Sequence, residues 1–219
     1  MGRKAGFLAL GVGDRSKADM IIIPESPVYI EDICEMALRI YKQKGFFHCV
    51  ISEGAVNAET GEEIGKDETL VDGFDNAKLG GAAKVLAKDI QAYFKDHGAF
   101  SPYFNGQVPE YVFRGGPPTN LDRETAGRLG YFAMKNLLEN PGANGHMAVL
   151  KWVRGEIVPL SMPMEQAVNM QDGKIVPRRV PVNIENPEQG FYDPGTKNIT
   201  ELGRAYVALL QVPQIKFEP

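Results

Sequence analysis

The chain has 219 residues, of which 43% are hydrophobic and 24% charged, and its formal net charge is −4 at pH 7. These values are typical of an ordinary globular protein that is long enough to bury a substantial core in one or two domains. A negative net charge argues against a general binder of nucleic acid or of anionic membrane, and no apolar run is long enough to span a bilayer. An anionic ligand would therefore need locally placed Arg or Lys side chains.

The chain contains two cysteines, Cys34 in a helical pattern and Cys49 in a strand pattern. Two cysteines make neither a disulfide framework nor a zinc site, so we expect two reduced thiols in the protein core. We see no leader that begins with positive charge and continues with an apolar run. Together these features predict a cytoplasmic protein.

The first quarter of the chain predicts a strand–helix–strand unit. Residues 5–12 are small and apolar, and they indicate a short buried helix. The apolar run 20–24 suits a buried strand, residues 30–44 carry apolar side chains at helical spacing, and residues 46–52 suit a second buried strand. Because short links join these elements, the two strands are expected to lie parallel in one sheet.

The middle of the chain is less regular. Residues 54–81 hold few large apolar side chains and several glycines, which predicts a long irregular excursion. Residues 82–97 predict a helix, and residues 110–113 predict a third short strand. The Gly-Gly-Pro-Pro sequence at 115–118 then forces a turn.

The remaining segments predict a helix over about 120–139, a hairpin formed by 147–152 with 156–159, a polar stretch over 166–179 and a last helix over 200–210. We therefore predict an α/β fold, in which a three-layer parallel sheet is flanked by helices and followed by a less regular carboxyl-terminal region.

Charged side chains follow each of the three predicted strands: Glu25, Glu53 and Arg114. Ligands of open α/β sheets lie outside the carboxyl ends of the strands, where these side chains would stand. A carboxylate there can accept hydrogen bonds from two sugar hydroxyls, and a guanidinium can bind a phosphate through two hydrogen bonds. The alternative for each residue is a solvated position in a loop.

Arg3 lies directly before the first predicted helix. Peptide N–H groups near Gly2 and Arg3 would point at whatever precedes the helix, and the helix dipole favours an anion there. The alternative is an exposed arginine in a disordered terminus. Two other kinds of binding site are not predicted. Gly11 and Gly13 lack the third glycine of a dinucleotide-binding fingerprint, and the three histidines are not at metal-ligand spacing.

Several segments, taken together in their order and spacing, resemble the fructose 6-phosphate contacts of the 6-phosphofructokinase family: Met1-Gly2-Arg3, Pro24-Glu25, and Tyr111 to Gly116 running on to Asp122-Arg123. Two further segments resemble the branch that holds pyrophosphate-dependent enzymes and their ATP-using relatives: Ser52 to Ala55 and Asn76 to Gly81. The match covers residues 1 to about 170. It implies two similar α/β domains with the active site between them, in a homo-oligomer.

The resemblance implies a set of substrate-binding residues: Met1, Gly2, Arg3, Glu25, Tyr111 and Arg114. Arg3 would also face the transferring phosphoryl group as a catalytic residue, and Glu25 would accept hydrogen bonds from sugar hydroxyls. Tyr111 and Arg114 would hold the 6-phosphate. Asp122 and Arg123 are expected to shape the helix that follows rather than to touch the substrate.

In this family the donor-phosphate loop, the metal-binding carboxylate and the catalytic aspartate all precede the Met-Gly-Arg segment. We therefore expect the carboxyl-terminal part of a phosphofructokinase, inactive without its amino-terminal half. The complete enzyme would use Mg²⁺ with ATP or pyrophosphate to phosphorylate the 1-hydroxyl of fructose 6-phosphate in glycolysis. None of the residues identified here would bind that cofactor or metal.

The resemblance also divides the chain into a sugar-phosphate-binding α/β domain, residues 1–145, and a carboxyl-terminal hairpin and extension, residues 146–219. The second part would pack on the missing amino-terminal domain. Two alternatives stay open: a stand-alone sugar-phosphate-binding module, and an inactive remnant without a donor site.

Overall fold

A computed structural model of the chain describes residues 4–71, 77–78, 81–97, 102–109, 116–118, 120–153, 156–164, 169–171, 174–176, 180–182 and 190–209. The chain divides into two compact units. The first consists of Met1–Tyr111 with Arg179–Leu209, and the second of Val112–Arg178 with Leu210–Pro219.

The described residues include the following helices: α1 (Phe7–Ser16), α2 (Ile30–Lys44), α3 (Ala82–His97), α4 (Asn120–Glu139) and α5 (Glu201–Leu209). They also include the following strands: β1 (Met20–Ile22), β2 (Cys49–Ile51), β3 (Asp67–Val71), β4 (Ala77–Lys78), β5 (His146–Val153), β6 (Glu156–Pro163), β7 (Asn169–Gln171), β8 (Lys174–Val176), β9 (Tyr192–Asp193) and β10 (Asn198–Ile199).

The predicted strand–helix–strand unit is present in the first unit of the chain. β1 and β2 pair in parallel, with Met20 opposite Cys49, and α2 connects them. α2 ends at Gly45, which adopts the left-handed conformation with a φ of 79° that glycine tolerates best. The parallel pairing is confirmed for these two strands. The predicted third strand, over residues 110–113, lies outside the described residues.

Helices cover both faces of the parallel pair. Met20 and Ile22 point to one face and pack in a core cluster with side chains of α2 and α3. Ile21 and Ile23 point to the other face, where they pack with side chains of α1 and α5. All four side chains are fully buried, and each contributes roughly 1.5–3 kcal/mol of hydrophobic stabilisation. The predicted α/β fold is therefore confirmed, with a helical layer on each side of this pair.

The described part of residues 54–81 contains two strands that were not predicted. β3 and β4 form an antiparallel pair within this stretch, with Asp67 opposite Lys78 and Val71 opposite Ala77. The expectation of an irregular excursion is wrong for these two strands. A strand of two residues leaves almost no alternating pattern in the sequence, and a register shift within β3 weakens the pattern further.

The second unit contains α4 and the antiparallel hairpin of β5 and β6, which confirms the predicted hairpin. None of its described side chains is buried. Apolar side chains of α4 are half exposed or more: Tyr131, Met134, Leu137 and Leu138. The boundary that the sequence predicts between residues 145 and 146 falls inside this unit.

Both cysteines carry free thiols, as expected. Cys34 is buried within α2, and burial together with the charges of Asp89 and Glu31 raises the pKa of its thiol to about 11. Burial and the nearby Asp19 carboxylate raise the pKa of Cys49 to about 12. Both thiols therefore stay protonated near neutral pH, so neither is an activated nucleophile.

α1 packs against β1 at two glycines. A Cβ atom added to Gly13 would lie 2.5 Å from Cδ1 and from Cγ1 of Ile21. A Cβ atom added to Gly6, directly before α1, would lie 2.5 Å from Cβ of Ile23. Carbon atoms do not approach this closely, so glycine is required at both positions. Because Gly6 faces the later residue of the strand and Gly13 the earlier one, α1 runs antiparallel to β1 and begins near its carboxyl end.

We expect Gly13→Ala to lower the free energy of unfolding by about 1–3 kcal/mol, because the new methyl group overlaps the buried Ile21 side chain. Gly11→Ala is the matched control in the same helix, since nothing lies within 4 Å of its added Cβ atom. That control should be neutral or stabilising by up to about 1 kcal/mol, because alanine favours helix. Urea unfolding followed by circular dichroism measures both, and equal effects of the two substitutions would contradict this packing.

Candidate functional site

Glu25 lies at the carboxyl end of β1, where α1 begins. The backbone N–H of Gly6 donates to both oxygens of its carboxylate, at 3.0 Å to Oε1 and 3.1 Å to Oε2. The backbone N–H of Val180 donates to Oε1 at 2.7 Å. The carboxylate is thus held between the start of α1 and a segment 155 positions further along the chain.

The surroundings of Glu25 favour a negative charge. The amino-terminal end of a helix carries a partial positive charge, and N–H bonds to a carboxylate are stronger than bonds between neutral groups. Gly6 also permits the close approach, because a Cβ atom on it would lie 3.0 Å from Oε2. The half-buried carboxylate is therefore stabilised by the nearby helix amino terminus as well as by its hydrogen bonds.

The Glu25 carboxylate retains an unused hydrogen-bond acceptor position. An ionised carboxylate has about two acceptor positions on each oxygen. On Oε1 of Glu25, the N–H groups of Gly6 and Val180 occupy both positions. Among the described residues, Oε2 accepts only the longer contact, from Gly6. One further donor, such as a sugar hydroxyl, can bind Oε2 without displacing a protein hydrogen bond.

The segment that carries Val180 is itself attached to β1. Val182 forms a parallel bridge with Tyr192, whose hydroxyl donates to the backbone carbonyl of Ile21 at 2.6 Å. Tyr192 is fully buried. Burial, together with the charges of Asp193 and Glu25, raises the pKa of Tyr192 well above its ordinary value, so the hydroxyl remains a donor.

Glu53 lies at the same edge of the parallel pair. It follows β2 by two residues, and the parallel register brings the carboxyl ends of β1 and β2 to one side. The side chain is half-buried, and no described residue forms a hydrogen bond or ion pair with its carboxylate. Lys4 lies beside the loop that follows β2, where its ammonium group is 3.8 Å from the carboxylate of Glu63.

Of the predicted substrate-binding residues, the structure places Glu25. The others lie outside the described residues, and their roles remain predictions: Met1, Gly2, Arg3, Tyr111 and Arg114. Sequence reasoning missed the two N–H donors of Glu25. The sequence placed Gly6 inside a helix over residues 5–12, whereas α1 begins at Phe7 and leaves the Gly6 N–H free to donate. Nothing near Val180 in the sequence signals a contact so distant along the chain.

Arg123 contacts the first residue of the helix that it was predicted to shape. Its guanidinium donates to the side-chain oxygen of Asn120, the first residue of α4. The bond lies within the first turn of the helix, so in this structure Arg123 supports the start of α4.

The second unit contains a cleft of about 240 Å³ between α4 and the hairpin. In it, Asn136 donates to the hydroxyl of Ser161 at 2.9 Å, and Nδ1 of His146 lies 3.0 Å from the same hydroxyl. The described lining residues include neither Lys nor Arg. This cleft therefore lacks the permanent cation that a phosphate ligand needs.

Among the described residues, no cluster of His, Cys, Asp and Glu side chains could hold a metal ion. The part of the chain that the structure describes thus does not fit the Mg²⁺ that the resemblance implies, and no chemical step is assigned to it. A search of the same residues finds no helix with the length and hydropathy needed to cross a membrane.

Comparison with known proteins identifies the family. The phosphofructokinase family profile matches residues 1–137. An ATP-dependent 6-phosphofructokinase of Mycobacterium leprae is 33% identical over 182 residues, which cover 81% of this chain and 47% of that protein. A pyrophosphate–fructose 6-phosphate 1-phosphotransferase of Streptomyces coelicolor is 30% identical over 161 residues, covering 74% of this chain and 44% of that protein. The chain belongs to the phosphofructokinase family.

Solved structures agree on the fold. The pyrophosphate-dependent phosphofructokinase of Marinobacter aquaeolei superposes with a TM-score of 0.66 and 19% identity, covering 100% of this chain and 48% of that one. The corresponding enzyme of Nitrosospira multiformis superposes with a TM-score of 0.66 and is 21% identical in sequence. The chain thus spans less than half the length of these relatives.

Removal of the Glu25 carboxylate should destabilise the first unit. We expect Glu25→Ala to lower the free energy of unfolding by about 1–3 kcal/mol, because the Gly6 and Val180 N–H groups lose their acceptor. Glu53→Ala, at the same edge, should change it by less than about 0.5 kcal/mol. Chemical unfolding of the two variants provides the comparison, and a Glu25→Ala variant as stable as Glu53→Ala would disprove the structural role of Glu25.

Proposed function

We propose that this chain is the fructose 6-phosphate-binding, carboxyl-terminal part of a 6-phosphofructokinase. The observation that carries the proposal is the Glu25 carboxylate, held at the carboxyl end of a parallel strand beside a helix amino terminus, with acceptor capacity left on Oε2. Membership of the phosphofructokinase family supplies the class of reaction, phosphoryl transfer to an alcohol.

Each residue has a role in holding the sugar phosphate. Oε2 of Glu25 accepts a hydrogen bond from a sugar hydroxyl and so fixes the rotation of the sugar. Tyr111 and Arg114 hold the 6-phosphate at the other end. Because both ends of one small ligand are held, these contacts help to position the reacting hydroxyl, and positioning is the main requirement of phosphoryl transfer.

Arg3, with Met1 and Gly2, contacts the sugar phosphate and faces the transferring phosphoryl group. A guanidinium at that place neutralises charge that develops during transfer. The phosphoryl donor is ATP or pyrophosphate with Mg²⁺, and relatives named for each donor are similar to this chain.

The remainder of the enzyme is supplied by an amino-terminal half, in a cytoplasmic homo-oligomer. The amino-terminal half is supported by the share of the relatives compared above that the chain spans, 44% to 49%. The exposed hairpin side chains Met147 and Leu160 support the proposal that the hairpin of the predicted 146–219 region packs on that half, while residues 1–145 bind the sugar phosphate. Residues 179–209 belong to the first unit of this chain, where Val180 and Tyr192 are buried. The chain alone then binds fructose 6-phosphate and does not turn it over.

Calorimetric titration with fructose 6-phosphate tests this proposal. We expect the folded chain to bind, Glu25→Gln to weaken binding about tenfold because an amide nitrogen replaces one acceptor, and Arg114→Ala to weaken it more because a charged phosphate contact is lost. Exposed residues of the first unit provide matched controls, and Glu59→Gln and Arg39→Ala should bind like the original chain.

Other outcomes would overturn the proposal or favour its alternative. A folded chain without affinity for fructose 6-phosphate, or equal losses in the variants and their controls, would overturn the assignment of the sugar site. Turnover with ATP or pyrophosphate by the purified chain alone would overturn the division into two halves. Binding that never leads to turnover after addition of the amino-terminal half would favour the stand-alone module.

A further inference from the structure

We propose that Val180 and Tyr192 are positioning residues for the sugar site: they hold the Glu25 carboxylate in the one orientation that leaves Oε2 as the ligand-facing acceptor. The inference rests on the proposed function of Glu25. Neither residue belongs to the predicted substrate-binding set, and neither is expected to touch the sugar.

The distances around Glu25 show why a second donor is needed. The Gly6 N–H lies almost equally far from the two oxygens, 3.0 Å from Oε1 and 3.1 Å from Oε2. Gly6 alone would therefore not distinguish one oxygen from the other. The Val180 N–H, at 2.7 Å from Oε1, is the closer donor and contacts that oxygen only. It therefore decides which oxygen remains available.

The Val180 N–H is fixed relative to the strand that leads to Glu25. The Val180 side chain is 3% exposed and belongs to the core cluster that contains Ile23. Directly after it, the Pro181 carbonyl accepts from the N–H of Phe191 at 2.8 Å. Tyr192 then bonds to the carbonyl of Ile21 on β1. The donor and the carboxylate are thus tied to the same strand.

Tyr192 helps to hold the segment that carries the Val180 donor against β1. Its buried hydroxyl is the side-chain anchor of the returning segment on β1, with a hydroxyl-to-carbonyl distance of 2.6 Å. Loss of that bond would loosen the Val182–Tyr192 bridge and, through it, the Val180 donor. The effect on the sugar site would pass through Glu25 alone.

A matched pair of substitutions at residue 180 separates the N–H from the side chain. Val180→Pro removes the donor and keeps apolar bulk, whereas Val180→Ala keeps the donor and removes bulk. Pro181 already confines residue 180 to extended conformations, which a proline also adopts. Tyr192→Phe is the second test, because it keeps the ring and removes only the hydroxyl.

Three readouts are measured on the folded full chain: affinity for fructose 6-phosphate, affinity for inorganic phosphate, and hydrogen exchange at the Gly6 amide without ligand. We expect Val180→Pro to weaken fructose 6-phosphate binding about tenfold and to speed Gly6 exchange, because the carboxylate is no longer held. Val180→Ala keeps the donor but loses buried bulk, so it should change both readouts by less than Val180→Pro does. Phosphate affinity should not change, since phosphate does not use Glu25.

The ligand-free readout keeps this inference separate from the proposed function. Unchanged Gly6 exchange in Val180→Pro, or equal losses of sugar affinity in the proline and alanine variants, would overturn it. Faster Gly6 exchange in a chain that never binds fructose 6-phosphate would support the positioning of Glu25 and overturn the sugar site. If Val180→Pro does not fold, Tyr192→Phe decides: faster Gly6 exchange supports the inference and unchanged exchange overturns it.

Discussion

The site depends on how closely α1 lies on β1. Gly6 and Gly13 leave no room for a side chain between the helix and the strand, so the helix backbone rests on Ile21 and Ile23. Because α1 runs antiparallel to β1, the amino-terminal end of the helix, which carries a partial positive charge, lies near the carboxyl end of the strand. Glu25 follows that strand, and its carboxylate takes the Gly6 N–H as a result. A bulkier residue at either glycine would separate these parts.

Local patterns predicted the elements that local forces determine. The spacing of apolar residues and the stop at Gly45 gave α2 with its observed bounds, and the same spacing gave α3. The parallel pairing of β1 and β2 followed from the short links around α2. The β3–β4 pair was missed because its second strand has two residues. The bond from Val180 to Glu25 could not be predicted, since only tertiary packing brings residues 155 positions apart together.

Family membership and the geometry of the first unit support the same conclusion by separate routes. The family establishes the class of protein, while Glu25 indicates where a sugar could bind within the described residues. The cleft of the second unit differs in character, because its described lining includes no Asp, Glu, Lys or Arg. The exposed α4 side chains of that unit also contrast with the two buried clusters around β1. The proposed contact of the sugar with Glu25 therefore lies in the first unit.

The central claim is that the sugar binds where Glu25 joins α1 to the segment at Val180. Its most direct test is a titration of the ¹⁵N-labelled chain with fructose 6-phosphate, followed through the amide chemical shifts. The account predicts saturable shifts at the Gly6 and Val180 amides, because both donate to the carboxylate that receives the sugar hydroxyl. The amides of His146 and Ser161 should not move. Shifts confined to those two residues, or none in a folded chain, would contradict the account.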